Sequence, residues 1–225
     1  MTGSRLPSGT DVPPALILPR ADIAEPFVAL TFDDGPAPWT DPIVDELERH
    51  HARGTFFVVG DAIDSAERRA TLRRLAAGGH DVGNHTFTHP DLQVLSDADI
   101  RDEMRGANAA IEDVLGVLPR YWRAPFFRSD ARVRAAVGDL AGREVWHSNM
   151  PGDWELPAGE TAERVLADLA PGDIVVLHDG RPANEPAELS WPTRDETVVA
   201  VGLILDEMAT RGLRAVSITE LLAAG

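Results

Sequence analysis

Two short stretches carry the residue types that hydrolytic chemistry uses: TFDDGP at Thr31–Pro36 and HTFTH at His85–His89. Asp33 and Asp34 are adjacent, so two like charges repel unless something separates their roles. A bound dication would neutralise one carboxylate and leave the other free to take a proton from water. Successive side chains on a strand point to opposite faces, so the pair belongs where a strand gives way to a loop, and Gly35-Pro36 supplies that break. His85 and His89 stand four apart. On a helix they would share a face, but Pro90 disfavours helical geometry at His89, and a tight turn serves equally well. In either geometry both imidazoles reach one ion. Two imidazoles and one carboxylate leave a coordination position open, a common catalytic zinc set that also suits non-haem Fe(II). Each stretch alone has a plainer reading, Asp-Gly as a turn and the histidines as surface residues. Together they point to a metal site.

The elements that must position these residues alternate between strand and helix. FVALTF (Phe27–Phe32), TFFVVG (Thr55–Gly60) and HDVGNH (His80–His85) read as strands or strand edges. So do RYWRAP (Arg120–Pro125), REVWHS (Arg143–Ser148) and DIVVLHD (Asp173–Asp179). Helices are expected from Thr40/Asp41 to Gly54, from Ser65 to Gly78-Gly79, and from Ser96 to Gly116, the last opened by Ser96 with Asp99. VVAVGLILDEMATRG followed by LRAVSI closes the chain, and residues 181–194 read as an irregular surface loop. This order predicts a parallel sheet with helices outside it, closed as a barrel or open. Asp33, Asp34, His85, Arg123, Asp153 and His178 all fall at or just past the C-terminal end of an expected strand, the end that carries active sites in such folds.

Composition narrows the function. The chain has 225 residues, 44% of them hydrophobic, enough for one sizeable core. Its net charge is −16, with no Lys/Arg stripe, which argues against nucleic acid or an anionic membrane as partner. There is no cysteine, so disulfides, thiolate metal sites and Cys nucleophiles are excluded. The opening residues lack the basic and apolar regions of a signal peptide, and Ala15–Leu18 is too short an apolar run to cross a bilayer. A soluble, cytoplasmic protein is the expectation, although an exported chain after removal of its signal would look the same. Oligomeric state is not legible.

TFDDG, HTFTH, RAPF, GDW and VLH occur in the order and approximate spacing of the five motifs of the polysaccharide deacetylase domain (NodB homology, carbohydrate esterase family 4), which the chain resembles from Phe27 to Leu222. The resemblance implies a distorted (β/α) barrel, with residues 1–25 an N-terminal extension and 26–225 the catalytic domain. It implies Asp33 as general base and Asp34, His85 and His89 as ligands of one divalent ion, Zn²⁺ in the first instance, with Co²⁺ or Ni²⁺ as alternatives. His178 resembles the general acid, Arg123 the residue orienting the base, Asp153 the carboxylate that tunes the acid, and Trp154 the wall beside the acetyl methyl group. The backbone N–H of Phe126 resembles the oxyanion donor. Three positions depart from the family: Met150 replaces an aspartate, Phe127 a glycine and Val176 a leucine. They bear on the pocket wall and leave the ligands, base and acid in place.

The substrate that the resemblance implies is an acetylated carbohydrate, with N-acetyl groups removed from N-acetylglucosamine-containing oligosaccharide, polysaccharide or glycoconjugate. Other readings of the same residues are an O-acetyl sugar esterase, a non-sugar amide hydrolase, an inactive carbohydrate-binding relative and a non-haem iron oxygenase. The amide chemistry is coherent on its own terms. An activated water attacks, Asp33 takes its proton, and a histidine near the working pH returns one to the leaving nitrogen. His50, His51, His80 and His147 have no matching partners and read as structural or exposed. Trp39 and Trp191 sit in loops that could line a sugar groove or simply pack.

Overall fold

The computed structural model describes residues 23–185 and 191–225; most of the expected N-terminal extension, with Ala15–Leu18, and part of the expected 181–194 loop lie outside the described residues. Seven strands form one parallel sheet: β1 (Phe27–Asp33), β2 (Thr55–Val58), β3 (Asp81–Asn84), β4 (Tyr121–Trp122), β5 (Arg143–Glu144), β6 (Ile174–His178) and β7 (Arg214–Val216). The order is β5-β4-β3-β2-β1-β6, with β7 also on β1. Between them run α1 (Thr40–Arg49), α2 (Ala66–Ala77), α3 (Asp97–Leu115), α4 (Ala131–Val137), α5 (Ala158–Leu166), α6 (Asp195–Thr210) and α7 (Ile218–Ala223).

β1 is the central strand. It pairs with β6 along its length, and on its other edge with β7 at the start and β2 at the end. A strand buried on both faces reads as a near-continuous apolar run, as FVALTF does. The sheet curls until the segment after β5 returns to β6. Ser148 N–H donates to Ile174 O at 3.0 Å and Val176 N–H to Asn149 O at 2.9 Å, a single bridge that closes the ring. That is the distorted parallel barrel expected from the motifs.

Alternation along the strands decides what faces the interior. Val28, Leu30, Phe32, Val175 and Leu177 pack outward against α1, α2 and α6, in a core with Ile43, Leu47, Leu72 and Ile204. Ala29, Phe57, Tyr121, Val145, Ile174 and Val216 form a second, interior cluster. Continuing the two-residue period from Ala29 and Ile174 carries Thr31 and Asp33 on β1, and Val176 and His178 on β6, to the inside. Asp33 and His178 are cross-strand partners in register.

Two expected strands each shrink to a single pair of residues. RYWRAP pairs only over Tyr121–Trp122, because Pro125 has no N–H to give a ladder and both Phe126 (φ 56°) and Phe127 (φ 54°) turn left-handed. REVWHS pairs only over Arg143–Glu144 before the chain leaves for its bridge to β6. No helix among the described residues is long and apolar enough to cross a membrane.

Candidate active site

Asp34 leaves β1 with φ 79°, and Thr86 and His89 likewise have positive φ, at 70° and 58°. HTFTH is therefore a tight loop after β3 and not a helix. Several groups brace it. Glu103 of α3 accepts hydrogen bonds from Phe87 N–H (2.9 Å), Thr88 N–H (2.8 Å) and Thr88 Oγ1 (2.8 Å). Asn84 Oδ1 accepts from Thr86 N–H at 2.7 Å, and Thr86 Oγ1 from His89 N–H at 3.1 Å.

The two strand ends bring three buried ligand atoms together. Asp34 Oδ1 lies 3.4 Å from His85 Nε2 and 3.2 Å from His89 Nε2. His85 Nδ1 is 2.8 Å from the Arg123 carbonyl, which accepts its N–H and leaves Nε2 with a lone pair facing Asp34. Asp34 Oδ1 is buried without a hydrogen-bond partner. An orphaned carboxylate oxygen between two imidazole nitrogens is the donor set a divalent cation accepts, so the residues fit a metal. Burial opposes ionisation of Asp34, yet His85 and His89 hold its pKa far below the usual carboxylate range. Burial likewise opposes charge on His85, and the carboxylates of Asp33 and Asp34 outweigh it and raise its pKa. Among the described residues this is the one group of three or more potential ligands gathered closely enough for an ion.

Asp33 sits apart from that set. Its Oδ1 receives Arg123 Nη1 at 2.7 Å, while Oδ2 is 3.9 Å from His85 Nε2. Arg123 is fully buried, and is held by Thr31 Oγ1 (2.8 Å), the Val145 carbonyl (3.2 Å) and the face of Phe57, 4.2 Å from its centroid. Burial lowers the Arg123 pKa, with Asp33 opposing the shift.

His178 ends β6. Its Nδ1 is 2.8 Å from Asp153 Oδ1, and its backbone N–H donates to Asp153 Oδ2 at 2.8 Å. Thr197 of α6 donates to the same Oδ2 at 2.9 Å. Burial would lower the His178 pKa, but Asp153, then Asp34 and Asp33, raise it to about 9. Trp154 meets the imidazole edge-on, with centroids 5.0 Å apart. Asp33, Asp34, His85, His89, Phe126, Trp154 and His178 all line one cavity of about 150 Å³. Phe127 N–H bonds to Ala124 O, and among the described hydrogen bonds the Phe126 N–H has no partner.

Two of the three departing positions lie on the cavity wall, and the third does not. Met150 and Phe127 line the cavity, and Val176 is fully buried. The four histidines without motif partners stay outside it. His80 accepts Gly54 N–H at 3.0 Å, and burial pushes it down to about 4. His50 lies 3.4 Å from Asp206, His51 takes φ 53°, and His147 packs on Phe127 at 4.3 Å. Trp39 Nε1 donates to Asp195 at 3.0 Å and lines a groove of about 580 Å³ that reaches Asp34; Trp191 donates its backbone N–H to Trp154 O at 2.8 Å.

Sequence reasoning missed four supporting residues: Thr31, Glu103, Asp179 and Glu185. Glu185 lines both the cavity and the groove and pairs with Arg181 and Arg194. Thr31 and Asp179 had a signal within reach, since Thr31 opens the TFDDG motif and Asp179 stands next to the VLH motif.

A curled parallel sheet with a buried carboxylate–bis-imidazole group able to hold a metal, a second carboxylate and a paired histidine at its C-terminal end is the architecture of a barrel hydrolase. The chain belongs to the polysaccharide deacetylase family, whose model matches residues 20–145. It is 40% identical over 191 residues to a chitooligosaccharide deacetylase of Bradyrhizobium, covering 82% of this chain and 85% of that protein. It is 33% identical over 208 residues to a chitin deacetylase of Colletotrichum lindemuthianum, covering 87% and 79% respectively. The structure of the peptidoglycan deacetylase PdaC from Bacillus subtilis superposes with TM-score 0.78 at 26% identity, covering 91% of this chain and 93% of that one.

Proposed function

We propose that this protein is a metal-dependent deacetylase that hydrolyses the N-acetyl group of N-acetylglucosamine-containing sugars, with residues 26–225 as the catalytic unit. The observation that carries this reading is the sharing of one cavity by Asp33, His178 and the Asp34–His85–His89 group. Two proton-transfer groups flank a cation set, the arrangement that amide hydrolysis needs. The similarity to chitooligosaccharide and chitin deacetylases supports the sugar class.

Asp34, His85 and His89 would hold the ion, which we take to be Zn²⁺. When bound, such an ion supplies Lewis-acid polarisation of a carbonyl and acidification of water. Asp33 acts as base: Arg123 fixes Oδ1, and Oδ2 remains to accept the proton of the attacking water. The Phe126 N–H donates to the carbonyl oxygen as charge develops on it. His178, raised to about 9, carries its proton at neutral pH and delivers it to the departing nitrogen. Asp153 holds that ring by Nδ1, which leaves Nε2 as the donating atom. Trp154 walls the cavity beside the acetyl methyl group. At about 150 Å³ the cavity suits an acetamido group, and the adjoining groove of about 580 Å³ leaves room for further sugar units.

An oxygenase built on the same ligands would give Asp33 and His178 no task. The test is a panel of metal-reconstituted protein with chitooligosaccharides and acetylxylan. Free amine should appear from the first with little acetate from the second. Asp33→Asn should retain the ion and lose about 10²–10⁴-fold in kcat. Near-native turnover in that variant would remove Asp33 as base.

A further inference from the structure

Asp179 is fully buried directly after His178, yet it does not line the cavity. Its contacts run to the turn that presents Asp34. Oδ1 accepts the Gly35 N–H at 3.1 Å, and Oδ2 accepts Thr40 Oγ1 at 2.5 Å. Thr40 is the first residue of α1, and its Oγ1 in turn accepts the Ala37 N–H at 2.8 Å. The backbone of Asp179 donates to Asp33 O at 3.1 Å. The Gly35 and Ala37 N–H groups and the Asp33 carbonyl of this turn are thereby engaged by Asp179 or by its hydroxyl partner.

The packing has no slack. A Cβ on Gly35 would lie 2.1 Å from Asp179 Oδ2, and one on Gly180 would lie 2.0 Å from Asp34 O. Asp34 itself holds φ 79°, a left-handed conformation that a non-glycine residue adopts at a cost of about 1 kcal/mol or more. That conformation is what turns its carboxylate from the strand direction towards His85 and His89. The next peptide plane follows from it, and the Gly35 N–H in that plane is the group Asp179 grips.

We propose that Asp179 is a positioning residue for the metal site: through Gly35 N–H and Thr40 Oγ1 it locks the turn in which Asp34 faces the two histidines. The inference rests on the metal-dependent reading above. Asp179 touches neither substrate nor the ligand atoms. Its loss should therefore act through the geometry of Asp34, with the overall fold retained.

The probe is Co²⁺ added to the metal-stripped full chain, read by its visible absorption and by titration calorimetry, with the thermal midpoint of the metal-free protein measured alongside. In Asp179→Ala, Co²⁺ affinity should fall about 10–100-fold, the size of effect expected when the support of a ligand is removed. Asp179→Asn should recover part of that loss, because its amide oxygen can still accept from Gly35. Thr40→Val removes one of the two grips without changing shape and should weaken Co²⁺ binding, while Thr40→Ser restores it. The Thr40 pair decides the matter if Asp179→Ala does not fold. Co²⁺ binding and spectrum within twofold of native in Asp179→Ala, or in Thr40→Val, would overturn the proposal while leaving the metal site intact. Absence of Co²⁺ binding in the native chain would instead overturn the metal reading, and this inference with it.

Discussion

Asp153 shows how one buried carboxylate sets the chemistry of a neighbour. It accepts from the backbone N–H and the Nδ1–H of His178 and from Thr197, so the imidazole has one orientation and a lasting reason to stay charged. Burial works the other way, and the balance places His178 at about 9 against an ordinary value of 6.5. The sign follows directly. The competent acid is the protonated ring, so activity is present below about 9 and lost as pH rises through it. Asp153→Asn keeps the shape and removes the charge. The alkaline limb of the kcat/KM profile should then move down from about 9 towards the ordinary 6.5, since only the lesser pull of Asp34 and Asp33 still opposes burial. At neutral pH that variant loses activity, and lowering the pH restores part of it. A limb that stays in place would assign it to some group other than His178.

At the scale of elements, the site is two loops held against each other by strands, and each loop has its own brace. For HTFTH the brace is Glu103, which reaches from α3 to three donors on Phe87 and Thr88. Glu103→Ala should release the loop and weaken metal binding about tenfold, by analogy with other supports of ligand residues, while Glu103→Gln, which keeps an acceptor, should lose less. Equal Co²⁺ titrations for Glu103→Ala and the native chain would show the loop to be rigid without it. The candidate ligands were legible in the sequence because HTFTH and TFDDGP each carry their chemistry within a few residues. Glu103 was not, because it lies in a helix whose other residues read only as an amphipathic pattern. Strand positions were legible from apolar runs, but strand lengths were not: Pro125 and the left-handed Phe126 and Phe127 cut β4 short through backbone geometry that periodicity does not record. The last helix, Ile218–Ala223, was passed over, although Ser217 and Glu220 form a full capping box.

Across the whole molecule, the three candidate ligands bring together the end of β1 and the loop after β3, strands that β2 separates in the sheet. An ion bound to all three binds the folded chain and not the unfolded one, so it stabilises by linkage. At a hundredfold excess over Kd the gain is about 2.7 kcal/mol, and for a chain of this size each kcal/mol is worth roughly 2–4 °C, so the thermal midpoint should rise by about 5–10 °C. The acidic composition complicates this. A net charge of −16 attracts any cation and is itself destabilising through self-repulsion, so part of a midpoint shift could arise without a site. Screening at about 0.15 M salt suppresses that contribution, because exposed charges more than ~8 Å apart no longer act on each other. Asp34→Ala removes the ligand while altering net charge by only one, and its midpoint should not respond to the ion. The pH dependence adds an independent check. His85 has a raised pKa in the metal-free protein, so a proton competes with the ion as pH falls. The increment should shrink between about pH 7.5 and about pH 5.5, whereas diffuse attraction to surface carboxylates, which stay ionised over that range, would leave it unchanged. An increment that survives in Asp34→Ala, or that is flat across this window, would place the ion away from Asp34, His85 and His89.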